Sequence, residues 1–307
     1  MTQGPQDLSH HGSHSSKWST RKKLLIAIPV LVVIIALAVG LGVGLTRSKG
    51  DDDSEQSTTP FRPAVGTSWQ IQLLKPLDKA SLDLDVEVFD IDLFDNEKSI
   101  VDDLHDKDRK VICYFSAGTY EDWRDDKDDF KPEDIGKELE DWADENWLDL
   151  RSENVRNIML KRLDVAKDKG CDGVDPDNTD GYENDNGLDL TRDDSLAYLN
   201  FLADAARERN LSIGLKNTLE LVEDLVDKMQ WSVNEQCVEY EECDDLRPFI
   251  DAGKPVFHLE YPKGDEVNDN KAAPKQLVTS ICDNPDTKQF STLIKNMDLD
   301  QWWETCP

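Results

Sequence analysis

The groups in this sequence that stand where chemistry can be done are carboxylates at the ends of short β-rich runs. Asp90 and Asp92 sit in VEVFDIDLF (86–94), Asp175 and Asp177 in GVDPD (173–177), Glu235 closes WSVNE (231–235), and Glu260 with Tyr261 closes PVFHLEY (255–261). SIGLKN (212–217) ends in Lys216 and Asn217, and Tyr114, Tyr120, Trp123 and Trp147 lie near the same predicted rim. Cleaving a glycosidic bond needs one acid to protonate the leaving oxygen and one carboxylate as nucleophile or base, while aromatic faces stack on sugar rings. A hydrolase of the Ser-His-Asp type would have to recruit His105 or His258, and the chain carries no GxSxG elbow. The loop GCDGVDPDNTDG (170–181) also offers Asp175, Asp177, Asn178 and Asp180 as hard oxygen ligands for calcium. Counted from Asp175, however, its fifth and sixth positions are Thr179 and Asp180, where an EF-hand needs an acid or amide and then a glycine. No CxxC or Cys/His ligand spacing supports zinc, and no metal or cofactor is expected.

Eight β-rich runs deliver these side chains: 68–74, 86–94, 110–118, 173–177, 212–217, 231–235, 255–261 and 291–296. Amphipathic stretches separate them, among them Asn154 to Lys169, Asp193 to Arg209 and Leu219 to Met229, the second with Leu196, Leu199, Leu202 and Ala206 at helical spacing. Strands alternating with helices predict an α/β fold with parallel strands and crossover helices, and eight of them favour a (β/α)8 TIM-like barrel over an open doubly wound sheet. In such a barrel the functional groups gather at the C-terminal ends of the strands, where the carboxylates fall.

Before the barrel, Leu24 to Leu45 run 22 positions without a charge, long enough to cross a bilayer as a helix. Arg21, Lys22 and Lys23 precede the run, and although Arg47 and Lys49 follow it, Asp51 to Asp53 come next, so the positive-inside rule favours a single-pass type II protein of the cell membrane. The expected organisation is a cytoplasmic tail (1–23), a transmembrane helix (24–45), a polar stalk (46–66) and an extracellular barrel (67–307). All six cysteines, Cys113, Cys171, Cys237, Cys243, Cys282 and Cys306, fall on the side assigned to the oxidising exterior. Cys237 with Cys243 would close a short loop and Cys282 with Cys306 would tie down the C-terminus, leaving Cys113 with Cys171. The sequon Asn210-Leu211-Ser212 falls between a helix and a strand, on the barrel face opposite a strand-end site.

The chain carries 65 acidic and 35 basic side chains. Five of the acidic and seven of the basic ones precede Thr67, leaving 60 and 28, a balance of −32. Such a surface repels nucleic acid and anionic lipid, keeps an extracellular domain soluble, and attracts a polycation.

The segments FDIDLFDN (89–96), VICYFSAGTYEDWR (111–124), WLDLR (147–151), GCDGVDPDNTDGY (170–182), GLKN (214–217), VNEQC (233–237) and FHLEY (257–261) together resemble glycoside hydrolase family 114, the endo-α-1,4-polygalactosaminidases, especially membrane-anchored fungal members. The resemblance implies a (β/α)8 barrel that cuts α-1,4-linked galactosamine stretches of galactosaminogalactan, a polysaccharide that is cationic where its amines are free. It puts the family's fourth-strand acid on Asp177 and its sixth-strand acid on Glu235, expected as nucleophile and general acid/base. Asp92, Tyr114, Asp149, Arg151, Asp175, Asn178, Lys216, Asn217, Glu260 and Tyr261 are the expected substrate-binding residues. A carboxyl separation near about 5 Å would favour retention of configuration and one beyond roughly 6.5 Å inversion. The alternative readings are a barrel glycosidase of different sugar specificity and, from another class, a cell-surface lectin on a barrel scaffold without turnover.

Overall fold

Every one of the eight β-rich runs folds as a strand. The computed structural model describes residues 60–140, 142–264 and 267–306. The expected tail, the membrane span and most of the stalk lie outside these described residues, and among the described residues no helix is long and apolar enough to cross a membrane.

In chain order the strands are β1 (Trp69–Gln72), β2 (Val88–Asp92), β3 (Lys110–Ser116), three short strands β4 (Thr119–Glu121), β5 (Ile135–Glu138) and β6 (Glu145–Leu148), then β7 (Gly173–Asp177), β8 (Ser212–Lys216), β9 (Trp231–Glu235), β10 (Val256–Glu260), β11 (Ser291–Lys295) and β12 (Trp303–Thr305). The helices are α1 (Lys98–His105), α2 (Glu153–Lys169), α3 (Arg192–Glu208), α4 (Val222–Leu225), α5 (Arg247–Asp251) and α6 (Lys275–Cys282). β1-β2-β3-β7-β8-β9-β10-β11 pair side by side in parallel, and β12 adds antiparallel to the outer edge of β11. The sheet curls into a barrel-like wall.

Period-two alternation sorts the side chains. Trp69, Ile71, Val88, Ile112, Trp231, Val233, Phe257, Leu259 and Leu293 fill the inside. Phe89, Ile91, Val111, Phe115, Val174, Ile213 and Leu215 point outward onto Val155, Met159, Leu163, Leu199 and Leu202 of α2 and α3. Two glycines fix where the largest inner side chain goes: a Cβ on Gly214 would lie 2.1 Å from Trp231 Nε1, and one on Gly173 2.5 Å from its Cη2. The indole therefore occupies space that any other residue on β7 or β8 would fill.

The barrel differs from the expected closed one at its seam. Among the described residues β1 and β11 form no ladder, because β12 occupies the free edge of β11. The gap is bridged by Trp69 Nε1 to the Ser291 carbonyl (2.8 Å), Ser291 Oγ to the Thr67 carbonyl (2.8 Å) and Leu73 N to the Leu299 carbonyl (3.0 Å). The Cys282–Cys306 disulfide ties the end of α6 to the residue after β12. Cys113–Cys171 and Cys237–Cys243 are also bonded, so all three expected pairings hold.

α2 starts on the Ser152 hydroxyl, which accepts from Asn154 N and Val155 N, and stops at Gly170 (φ 92°). α3 starts on a Thr191/Asp194 capping box. The expected helix over Leu219 to Met229 is shorter. A 3-10 turn (Leu219–Leu221) leads into the four-residue α4, and Lys254 Nζ binds the carbonyls of Val226 and Met229 where further helical turns would have begun. β4, β5 and β6 form a separate antiparallel sheet inserted between β3 and α2, which the sequence did not suggest.

Candidate active site

Three successive parallel strands end in the residues that meet at the C-terminal mouth: β7 in Asp177, β8 in Lys216 and β9 in Glu235. Lys216, 2% exposed, lies between the two acids. Its Nζ is 3.3 Å from each oxygen of Asp177 and bonds Glu235 Oε2 directly. Each acid is held further. Tyr114 OH donates to Asp177 Oδ2 (3.0 Å) and Asn178 N to its Oδ1 (2.8 Å). Tyr261 OH donates to Glu235 Oε1, Asn217 Nδ2 to Oε2 (3.1 Å), and the Asn217 amide oxygen accepts from Glu235 N (3.0 Å).

The backbone turns sharply after each of these strands. Asn178 (φ 59°), Asn217 (φ 48°), Thr218 (φ 50°) and Gln236 (φ 62°) all lie in the left-handed region. Asparagine enters that region more readily than most residues, whereas a β-branched threonine pays strain to be there. Gly118 makes the first turn possible, since a Cβ on it would lie 1.6 Å from the Asn178 carbonyl oxygen. The close approach lets Ala117 N and Gly118 N donate to the Asp177 carbonyl at 2.9 and 3.1 Å, fixing the end of β7 against the end of β3.

Burial works against the Lys216 ammonium, but the Asp177, Glu235 and Asp175 charges outweigh it and hold the amine protonated well above the ordinary lysine range. Burial also acts to raise Glu235, yet the Lys216 charge with the hydrogen bonds from Lys216, Tyr261 and Asn217 overcomes it, and the carboxyl sits below its ordinary range. Beneath the pair lie Asp175 and Asp90, both fully buried and facing each other across a shared carboxyl–carboxyl hydrogen bond, with no other described group bonded to their side-chain oxygens. Burial, opposed by Lys216 and reinforced by the Asp177 and Glu235 charges, pushes Asp175 up to about 7. Burial and then the Asp175 charge hold Asp90 well above the carboxylate range. The barrel floor is therefore a pair of carboxyls that hold protons more tightly than free ones, lying under the Lys216 ammonium.

Of the expected binding residues, Tyr114, Asn178, Lys216, Asn217 and Tyr261 surround the two acids, with Asp175 below. The others are engaged elsewhere. Asp92 is buried against Arg124 (2.6 Å), which also pairs with Glu121 (2.8 Å). Arg162 extends that network through Glu121 and Asp126 and donates to the Ser116 carbonyl (2.7 Å), so it anchors the inserted sheet to the barrel. Asp149 and Arg151 pair with each other at 2.8 Å, and Arg151 donates to the Leu188 carbonyl. Glu260 accepts from Val238 N (2.8 Å) and meets His258 Nε2 (2.8 Å), on the outward face of β10 opposite to Tyr261. His105 pairs with Asp172 at the other end of the barrel.

Residues 50–307 match the model of glycoside-hydrolase family GH114. The chain is similar to Ega3 of Aspergillus fumigatus, whose crystal structure is a complex with galactosamine, at 55% identity, with 82% of this chain and 100% of that one covered and a TM-score of 0.79. It is similar in fold alone to the glycoside hydrolase domain of PelA from Pseudomonas aeruginosa, at 13% identity, 78% and 98% coverage and a TM-score of 0.57. No curated protein matches the chain. With the family model spanning the whole barrel and the two acids in place at its mouth, the chain belongs to glycoside hydrolase family GH114.

Proposed function

We propose that this glycoside hydrolase cleaves α-1,4-linked galactosamine within a galactosaminogalactan-type polysaccharide, with Asp177 as nucleophile and Glu235 as general acid/base. The observation that carries the reading is Lys216, one buried ammonium reaching both acids at the mouth of the barrel. Because it touches both, their nearest oxygens are no more than about 6 Å apart, which suits a retaining pair and leaves little room for a water between them. The 55% identity to a protein crystallised with galactosamine supports the sugar, and the −32 balance of the barrel segment supports a cationic polymer.

In the double displacement, Asp177 attacks the anomeric carbon while Glu235 protonates the departing oxygen, and then Glu235 takes a proton from the water that releases the glycosyl-enzyme. Tyr114 and Asn178 N hold the Asp177 oxygens in place. Glu235 is a carboxylate in the free enzyme, so it gains its proton in the substrate complex. There a sugar displaces water, and burial, which already acts to raise its pKa, strengthens.

The charge-free run from Leu24 to Leu45 and the three disulfides support a type II membrane protein with its barrel outside the cell. The test is proton NMR of deacetylated α-1,4-galactosamine oligomers during the first minutes of hydrolysis. The reading expects an α-anomeric first product. A β first product would reassign Asp177 as the base that activates water, and no cleavage would leave a carbohydrate-binding barrel.

A further inference from the structure

The inserted sheet places one carboxylate within electrostatic reach of Asp177 without giving it an ion pair among the described residues. Glu145 opens β6, and register sets it opposite Glu121 on β4, with Thr119 opposite Trp147 two positions along. Its neighbour Glu121 is buried and neutralised by Arg124 and Arg162. Glu145 is only partly buried, forms no ion pair among the described residues, and has one hydrogen-bond donor, the Thr119 hydroxyl at 2.7 Å. Thr119 Oγ1 is bonded in turn to Ser116 Oγ and lies 3.3 Å from Asn178 Nδ2, and the Asn178 backbone N–H holds Asp177 Oδ1 at 2.8 Å. A run of three short contacts thus connects the Glu145 carboxylate to the proposed nucleophile.

We propose that Glu145 is a specificity-determining residue, its carboxylate pairing with the ammonium of a galactosamine unit bound next to the scissile bond on the side of Asp177 and the inserted sheet. The inference rests on the proposed galactosamine specificity and assigns part of it to one side chain. A carboxylate half withdrawn from water, with Arg124 near enough to act on it but not to pair with it, is destabilising unless something completes it. Burial, against the Thr119 hydrogen bond and the Arg124 charge and with the Glu121 and Asp177 charges adding, raises Glu145 to about 7, and an arriving ammonium favours the ionised carboxylate again as it donates its hydrogen bond. An N-acetylated unit brings no charge and offers the same carboxyl a bulkier neutral amide. Glu145 would therefore discriminate between the two forms of the sugar rather than support the barrel. The insertion already has its anchors in Arg124 and Arg162.

The test compares wild type, Glu145→Gln and Glu145→Asp on fully deacetylated and on partly N-acetylated α-1,4-galactosamine oligomers, with thermal unfolding measured for each. A charge-assisted hydrogen bond of ordinary strength corresponds to about ten- to a hundredfold in affinity. Glu145→Gln should raise KM for the deacetylated oligomer by at least about tenfold, change kcat far less, and lower the preference for deacetylated over acetylated substrate by the same factor. Glu145→Asp should recover part of that preference. Equal losses on both substrates, or an unchanged preference, would overturn the assignment even if the wild type cleaves. A wild type that cleaves neither oligomer would overturn the galactosamine reading itself.

Discussion

Replacing Lys216 by methionine should make the protein less stable the higher the pH. In the wild type the ammonium is 2% exposed, 3.3 Å from both Asp177 oxygens and bonded to Glu235, with Asp175 contributing to its high pKa. Methionine keeps much of the side-chain volume and removes the charge. Stripping one partner from a buried ion pair costs about 3–5 kcal/mol, because the remaining charge is left uncompensated. The carboxyls can avoid part of that cost by binding a proton. Without Lys216, the largest influence holding Glu235 below its ordinary range is gone, and burial outweighs the remaining Tyr261 and Asn217 hydrogen bonds and raises it, so the folded variant binds more protons than the unfolded chain across the interval between the two pKa values. With more protons in the folded state, stability falls as pH rises, by about 1.4 kcal/mol per pH unit for each proton so retained. The loss relative to wild type should be small near pH 4 and approach the full 3–5 kcal/mol, in round terms about 4, near pH 8. Urea denaturation of both proteins at these two values, with the disulfides intact, measures it. An equal loss at both pH values, or a larger one at pH 4, would refute the argument that Lys216 keeps the site ionised.

Two further outcomes follow from the barrel interior and from the charge. Gly214→Ala puts a methyl 2.1 Å from Trp231 Nε1 and should lower the unfolding free energy measured in urea by about 1–3 kcal/mol, with Trp231→Phe in the same background recovering part of the loss. kcat/KM on a deacetylated galactosamine polymer should fall steeply as salt rises from about 0.01 to 0.5 M, because an acidic surface steers a polycation only over a Debye length. A salt-independent rate would remove the electrostatic part of the account.

The eight parallel strands were legible because each is a short, largely buried β-rich run bounded by polar loops, and most alternate with amphipathic stretches. Two-residue alternation also carries much of the site. It puts Asp175 with Asp177 on one face, and it separates Glu260 from Tyr261, a distinction that reading both simply as strand-end residues had missed. The inserted sheet was not legible. Residues 119–148 carry acids at most of their solvent-facing positions, the strands are three or four residues long, and β5 slips register against β6, so no period stands out. Asp92 shows the limit at one position: it ends a strand like Asp177 does, but Arg124, which binds it, comes from a segment 32 residues on with no visible structure in the sequence. The seam was hidden for a similar reason, since three residues of β12 decide whether β1 can pair with β11.

The most direct measurement of the central assignment uses two galactosamine oligosaccharides, one with a natural sugar leaving group and one with an acidic phenol in its place, on wild type, Asp177→Asn and Glu235→Gln. If Asp177 is the nucleophile and Glu235 the acid, Asp177→Asn should lose activity on both substrates, while Glu235→Gln should lose it on the natural one and release phenol in a rapid first turnover, because a good leaving group needs no proton. If Glu235→Gln is equally slow to release both leaving groups, or Asp177→Asn retains near wild-type rates, the pair held by Lys216 is not the catalytic pair.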